Sequence, residues 1–301
     1  MPGGDIEVHA FADAYPFAAG FPPGASGAHR AVEVHTFPDG ESRVRVQSDG
    51  ARHAIVVRSL DQANRKLLEV LFAADALRRR GVQSLALVAP YLGYMRQDRA
   101  FRAGEAVSQQ VVGRLLGDAF DVVLTLEAHL HRIRRLSEVV PCQASSVSAA
   151  PLIGRWCREQ AHFDVVVGPD VESAPWIGAV AETAALPPLV YEKVREGDRA
   201  VRLEGPPLPA GARSALVVDD IASTGETLVA VARDLKARGI LRVEAAVVHA
   251  LFDPAGEARL LEAGIDRIVS SDTLSHPSNA IATGAFLASR LPEGFAPRGI
   301  A

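Results

Sequence analysis

The sequence predicts an α/β fold of two tandem domains, each a mainly parallel sheet flanked by helices, and three observations lead there. Short apolar runs at Ala54–Val57, Leu85–Val88, Val122–Leu126, Val165–Val167, Ala215–Val218 and Ala245–Val248 alternate with helical patterns, the signature of parallel α/β units. A weak internal repeat pairs "ADALRRRGVQSLALVAPYL" from Ala74 with "ARDLKARGILRVEAAVVHAL" from Ala232, and "FDVVLTLEAHLH" from Phe120 with "IDRIVSSDTLSH" from Ile265, in the same order along the chain. The length of 301 residues, with 48% hydrophobic and 23% charged content, is enough to bury two cores.

Residues before Ala31 are rich in Gly, Pro and Ala and carry no readable pattern. The first clear helix is predicted over Gln62–Arg80, with Asp61 as N-cap, Gly81 as stop, and Leu67, Leu71, Ala74 and Leu77 on its apolar face. The small-residue and proline stretch Pro141–Ala150 reads as the junction, giving domains over 1–145 and 146–301. "YEKVREGDRA", from Tyr191, is polar with alternating charge and a glycine, and reads as a mobile loop. Ala215–Val218 reads as a buried strand, and from Thr227 a helix is predicted with Leu228, Val231 and Leu235 on one stripe.

The net charge of −4 and pI near 6.1 provide no general attraction for nucleic acid or an anionic membrane. Every long apolar run is broken by charge short of a membrane span, and no basic leader precedes an apolar core, so a cytoplasmic protein is expected. Cys142 and Cys157 fit neither a disulfide framework nor zinc spacing and are expected to be buried thiols. Only Lys66, Lys193 and Lys236 are lysines; Lys66 and Lys236 fall on amphipathic helices, whereas Lys193 lies in the polar stretch.

The segment "ALVVDDIASTGETL" from Ala215 carries the chemistry. A strand runs into two acids and a Ser/Thr/Gly turn at a helix N-terminus, where free backbone N–H groups of Ala222 to Glu226 converge on an anion. Hydroxyls of Ser223, Thr224 and Thr227 add donors, and Gly225 lets the backbone approach closely. Asp219 and Asp220, just ahead of the turn, can accept from two sugar hydroxyls or hold a hydrated Mg2+. The plainer alternative is a strand end followed by a helix cap. No glycines are spaced G-x-G, and no G-x-x-x-x-G-K-[ST] occurs, which disfavours dinucleotide folds and P-loop kinases.

With "VVDDIASTGETL" in hand, the chain resembles the type I phosphoribosyltransferase superfamily, in which this stretch binds ribose 5-phosphate. "FPDGESRVRV" from Phe37, "PYLGYMRQDRAFRAGEAVS" from Pro90 and "EAHLHRI" from Glu127 narrow the resemblance to the ribose-phosphate diphosphokinases, over residues 31 to 285. The resemblance implies two phosphoribosyltransferase-like domains and transfer of the diphosphoryl group of ATP to the C1 hydroxyl of ribose 5-phosphate. It implies that Phe37, Asp39 and Glu41 hold the adenine, with Phe37 stacking on the base, from a neighbouring subunit of a homo-oligomer. Arg96, Gln97 and Arg99 match its ATP-contacting run. His129 matches a histidine near Mg-ATP, and Asp170 an acid that positions metal and ribose phosphate. Lys193 and Arg195 match the Lys-x-Arg of its catalytic flexible loop, which would neutralise charge building in the transition state. Mg2+ is the implied cofactor.

The sequence also departs from the family pattern. Ser223 stands for an aspartate and Glu226 for a glycine of the phosphate loop, Glu172-Ser173 for Gly-Gly after Asp170, and Glu127 for an aspartate. The Glu226 side chain is expected to point away from the anion. Competing readings are a phosphoribosyltransferase acting on a base, which leaves Arg96–Arg99 and Phe37–Glu41 idle, and a regulatory homologue, which has no need of Lys193 and Arg195.

Overall fold

The computed structural model describes residues 6–21, 29–130, 132–196 and 200–295, which group into two compact units. The first runs in chain order through β1 (Ile6–Phe11), α1 (Tyr15–Ala18), β2 (Arg30–Thr36), β3 (Ser42–Arg45), β4 (His53–Val57), α2 (Ala63–Arg79), β5 (Ser84–Ala89), α3 (Ser108–Ala119), β6 (Val122–Leu126) and β7 (Gln143–Val147). Its seven-stranded sheet has the order β3-β2-β1-β4-β5-β6-β7. All neighbours are parallel except the β2–β3 hairpin. The central strands are buried on both faces, which is why they read as unbroken apolar runs instead of alternating ones.

The second unit continues with α4 (Ala150–Gln160), β8 (Val165–Gly168), α5 (Ala174–Ala184), β9 (Pro188–Val190), β10 (Glu192–Glu196), β11 (Ala200–Glu204), β12 (Ser214–Ala222), α6 (Glu226–Ala237), β13 (Arg242–Ala250), α7 (Pro254–Glu262), β14 (Arg267–Ser271) and β15 (Asn279–Ile281). Its six-stranded parallel sheet has the order β15-β14-β13-β12-β8-β9. Setting β3 aside, both sheets follow the order second, first, third, fourth, fifth, sixth in chain order, and after the second strand the first unit adds β3 as its hairpin partner while the second adds the separate β10–β11 ribbon. The repeat visible in the sequence is the same structural step in both: α2 ends before Gly81 and feeds β5, and α6 ends before Gly239 and feeds β13.

The sequence cuts the chain once, at residues 145 and 146; the fold passes from one unit to the other between Val147 and Ser148 and later returns to the first. Thr273–Ser275 and the described residues from Ala282 onward, including α8 (Gly284–Ala288), belong to the first unit. Backbones meet there, since a Cβ added at Gly20 would lie 2.9 Å from the Cα of Gly284. The Ser59 hydroxyl donates to the Thr273 carbonyl in the same unit.

Three local expectations are corrected. The N-cap of α2 is Gln62, in a left-handed conformation with φ of 49° and no side-chain cap, not Asp61. The Asp61 carboxylate instead accepts from Lys66 at 2.6 Å. Lys66 lies on α2 as expected and is buried there, and a buried ammonium needs a counter-charge more than a helix end needs a cap. The polar stretch after Tyr191, read as a mobile loop, contains strand on either side of residues 197–199, which lie outside the described residues: Glu192–Glu196 pairs antiparallel with Ala200–Glu204 as a separate two-stranded ribbon. Cys157 is buried and Cys142 half-buried, both unbridged, and burial pushes their thiols up to about 12 and about 11.

Candidate active site

The strand β12 runs to Ala222, four residues beyond its apolar run, so Asp219 and Asp220 lie within the strand and the turn shrinks to Ser223–Gly225. The extension pairs with β13, Ile221 opposite His249 and Ala222 opposite Ala250. Both aspartates therefore sit at the carboxyl edge of a parallel sheet, where such sheets receive ligands. Each also fixes its own backbone: the Asp219 carboxylate accepts the Asp220 N–H at 3.0 Å, and that of Asp220 the Ile221 N–H at 2.8 Å.

Gly225, with φ of 73°, is the N-cap of α6 and makes no side-chain cap. The first N–H groups of that helix are thus not taken by a capping side chain, which is what an anion requires. A side chain at 225 would be both strained and crowded, because its Cβ would lie 3.0 Å from Leu260. Ser223 and Thr224 are exposed, Thr227 is half-buried, and Glu226 is exposed in the first turn of the helix.

The acids make this edge strongly negative. Burial, then the charges of Asp220 and Asp170, push the Asp219 carboxyl well above the usual aspartate range. Asp170 lies two residues beyond the adjacent strand β8 and caps the short turn Val171–Ser173, accepting the Ser173 N–H at 3.2 Å while the Ser173 hydroxyl returns to the Asp170 carbonyl at 2.5 Å. Ser173, at the position of a family glycine, is thereby used in the turn itself. Among the described residues no group of three or more His, Cys, Asp or Glu side chains forms a metal cage.

In the first unit, Phe37 to Glu41 forms the tight turn of the β2–β3 hairpin: the Glu41 carbonyl accepts the Phe37 N–H at 2.8 Å, and the Phe37 carbonyl the Gly40 N–H at 2.9 Å. The Asp39 carboxylate accepts the Glu41 N–H at 3.1 Å. Phe37 is 39% exposed, its ring edge-on to His35 at 4.8 Å, and Asp39 and Glu41 are exposed too.

Arg96 and Arg99 are exposed, with the Arg99 guanidinium 4.8 Å from the Phe101 ring. Gln97 is anchored instead: its side-chain oxygen accepts the Ser108 hydroxyl at 2.6 Å, at the first residue of α3. His129 follows β6, half-buried, beyond Glu127 in a left-handed conformation with φ of 40°. The Ala128 N–H between them donates to the Ser146 hydroxyl at 2.8 Å. Lys193 and Arg195 belong to β10, opposite Leu203 and Val201; their side chains lie outside the described part of the structure.

Arg259 and Leu260 on α7 are neighbours of the phosphate turn that sequence reasoning missed. The Arg259 guanidinium donates to the Thr224 carbonyl at 3.4 Å, and Leu260 packs beneath Gly225. No local pattern announces either residue, because the contact joins separate helices.

Two family models match the chain: the N-terminal domain of ribose phosphate pyrophosphokinase over residues 27–119 and the phosphoribosyl transferase domain over residues 146–284. The ribose-phosphate pyrophosphokinase of Thermococcus kodakarensis is 32% identical over 250 residues, 83% of this chain and 88% of its own length. That of Methanopyrus kandleri is 32% identical over 249 residues, 82% of this chain and 84% of its own. In fold, the chain is similar to the phosphoribosylpyrophosphate synthetase of Mycobacterium smegmatis, with a TM-score of 0.81 over 95% of this chain and 97% of that one at 22% identity.

Proposed function

The chain belongs to the ribose-phosphate pyrophosphokinase family, and from that premise we propose that it transfers the β,γ-diphosphoryl group of ATP to the C1 hydroxyl of ribose 5-phosphate. The C1 oxygen forms a bond to the β-phosphorus, the bond from that phosphorus to the α,β-bridging oxygen breaks, and AMP leaves with phosphoribosyl diphosphate as the other product.

The reading rests on one observation above all: two acids at the carboxyl edge of β12 lead, through a left-handed glycine, into a helix N-terminus without a side-chain cap. The N–H groups and the hydroxyls of Ser223, Thr224 and Thr227 are suited to the 5-phosphate. Asp219 and Asp220 are suited to the ribose hydroxyls, one acceptor for each. Glu226, exposed, can keep its charge in water and off the anion.

For ATP, Arg96 and Arg99 offer guanidinium forks to phosphate oxygens, with Gln97 holding that run against α3. Phe37 would stack on adenine while Asp39 and Glu41 take its polar edge. Following the family resemblance, we assign this contact to a neighbouring subunit's nucleotide and infer a homo-oligomer; the exposure of Phe37 is compatible with that assignment. Lys193 and Arg195 would neutralise charge on the transferring group and raise turnover without tightening the ground state.

Mg2+ fits the acidic edge. Burial first, and the Asp220 and Asp170 charges after it, raise the Asp219 carboxyl, and Mg2+ is ordinarily held by one or two carboxylates with phosphates and water, without a protein cage. Asp170 would hold such an ion in the second unit, and in the first unit His129 is a candidate ligand for the metal of the nucleotide; a bound ion would offset the charge of phosphate oxygens. No helix among the described residues is long and apolar enough to cross a membrane, and we place the enzyme in the cytoplasm.

Purified protein supplied with ATP, Mg2+ and ribose 5-phosphate should form AMP and phosphoribosyl diphosphate in equal amounts. Formation of ADP would reject the mechanism in favour of simple phosphoryl transfer.

A further inference from the structure

The hairpin that carries Phe37, Asp39 and Glu41 is tied at its foot to a buried ion network. Ser42 is the first residue of β3, opposite Thr36 across the ladder and next to Glu41 in the chain. Its hydroxyl donates to the Glu69 carboxylate at 2.8 Å. Glu69, on α2, is fully buried, and its second oxygen is held by Arg58 at the end of β4, itself 4% exposed. Arg58 reaches Asp13 at 3.2 Å, and Lys66 joins Asp13 at 2.8 Å and Asp61 at 2.6 Å.

The network has a definite direction of constraint. Arg58 and Lys66 are fixed by strand, helix and three carboxylates, so Glu69 cannot shift without taking from the buried Arg58 guanidinium one of its two carboxylate partners. Ser42 is the link from this frame to the hairpin at the level of its turn. Beyond that point the two strands are exposed, Thr36 and Phe37 on one arm and Glu41 on the other, with no packed core to orient them.

We propose that Glu69, acting through Ser42, is a positioning residue for the nucleotide-contacting turn Phe37–Glu41. It touches no substrate; it fixes the angle at which the hairpin presents Phe37, so that the ring is ordered before the base arrives. The proposal rests on the assignment of that turn to adenine.

Steady-state kinetics of Ser42→Ala, Ser42→Thr and Phe37→Ala in the full-length enzyme test it. Ser42→Ala leaves the Arg58–Glu69 pair intact and should raise KM for ATP about fivefold, the effect of one lost hydrogen bond to a charged acceptor when part of it is recovered by water. Its kcat and KM for ribose 5-phosphate should stay at wild-type values, and Ser42→Thr should restore KM. Phe37→Ala should raise KM for ATP by more. If Phe37→Ala raises it and Ser42→Ala does not, the positioning role is wrong while the adenine assignment stands. If neither changes it, both fall. Equal losses in kcat and both KM values for Ser42→Ala, without rescue by threonine, would make the contact merely structural and overturn the proposal.

Discussion

The corner between β4 and α2 and the corner between β12 and α6 occupy the same place in the two repeated sheets, yet they handle charge in opposite ways. After Val57 the first unit places Arg58, buried against Glu69 and Asp13 with its guanidinium 4.1 Å from the Phe11 ring centroid. After Val218 the second places Asp219, crowded by Asp220 and Asp170. Both helices begin at a left-handed residue, Gln62 in one and Gly225 in the other. Duplicating the fold therefore did not duplicate the site. One corner neutralises itself with its own side chains, and the other keeps like charges together, which is useful only to something that arrives with hydroxyls or positive charge.

The sharpest way to break this comparison is to delete a charge from each corner. Arg58→Ala strands Glu69 in the core and should lower unfolding free energy by about 3–5 kcal/mol in urea titrations; a cost near zero would mean that the network does not hold the first corner. Next in size, the two inserted hairpins should separate by function. Lys193→Ala should reduce kcat roughly 100- to 1,000-fold with KM for ATP little changed, whereas first-unit hairpin variants act on KM. Equal effects of Lys193→Ala on both parameters would remove its transition-state role. Asp219→Asn should do the reverse of Arg58→Ala, stabilising the unliganded chain by roughly 0.5–2 kcal/mol while weakening ribose 5-phosphate binding in calorimetry. Unchanged affinity would take Asp219 out of the sugar site.

The smallest effect is in pH. Burial raises the Asp13 carboxyl, but Lys66 and Arg58 outweigh it and hold the net value below the aspartate range. Its contribution is thus present above the unfolded-state value and lost as pH falls through the folded one. Asp219 is shifted upward, so its native form binds the extra proton, and stability declines as pH rises from the unfolded value of 3.8 to the folded one. The gain in melting temperature from Asp219→Asn should accordingly be larger at pH 8 than at pH 4. A constant gain would mean that the carboxyl is not strained by its neighbours.

What could be read without coordinates follows from how local each signal is. The central strands announce themselves because burial on both faces demands uninterrupted apolar residues, and the acids, turn and helix start from Asp219 to Thr227 are contiguous. The burial of Lys66 has no local signal, because its partner Asp13 arrives from another element. The β10–β11 ribbon escapes because it lies outside the main sheet and carries no apolar run, only alternating charge. The extension of β12 past Val218 is invisible for a related reason: a strand kept by the ladder to β13 needs no hydrophobic residues. Phe37 to Glu41 is legible as a turn from Pro38, Asp39 and Gly40, but its role came only through resemblance. Ser42 and Glu69 were beyond reach, since nothing in either neighbourhood names the other.

The return of the C-terminal stretch to the first unit limits how this gene can be rearranged. With Gly20 backed against Gly284 and Thr273 accepting from Ser59, a fragment ending at Val147 would lack part of its own packing. A chimera that exchanges everything after Val147 would import a foreign strap along with the foreign second unit. Recombination that keeps β15 with its own sheet needs a second crossover after Ile281, in addition to the one near the junction.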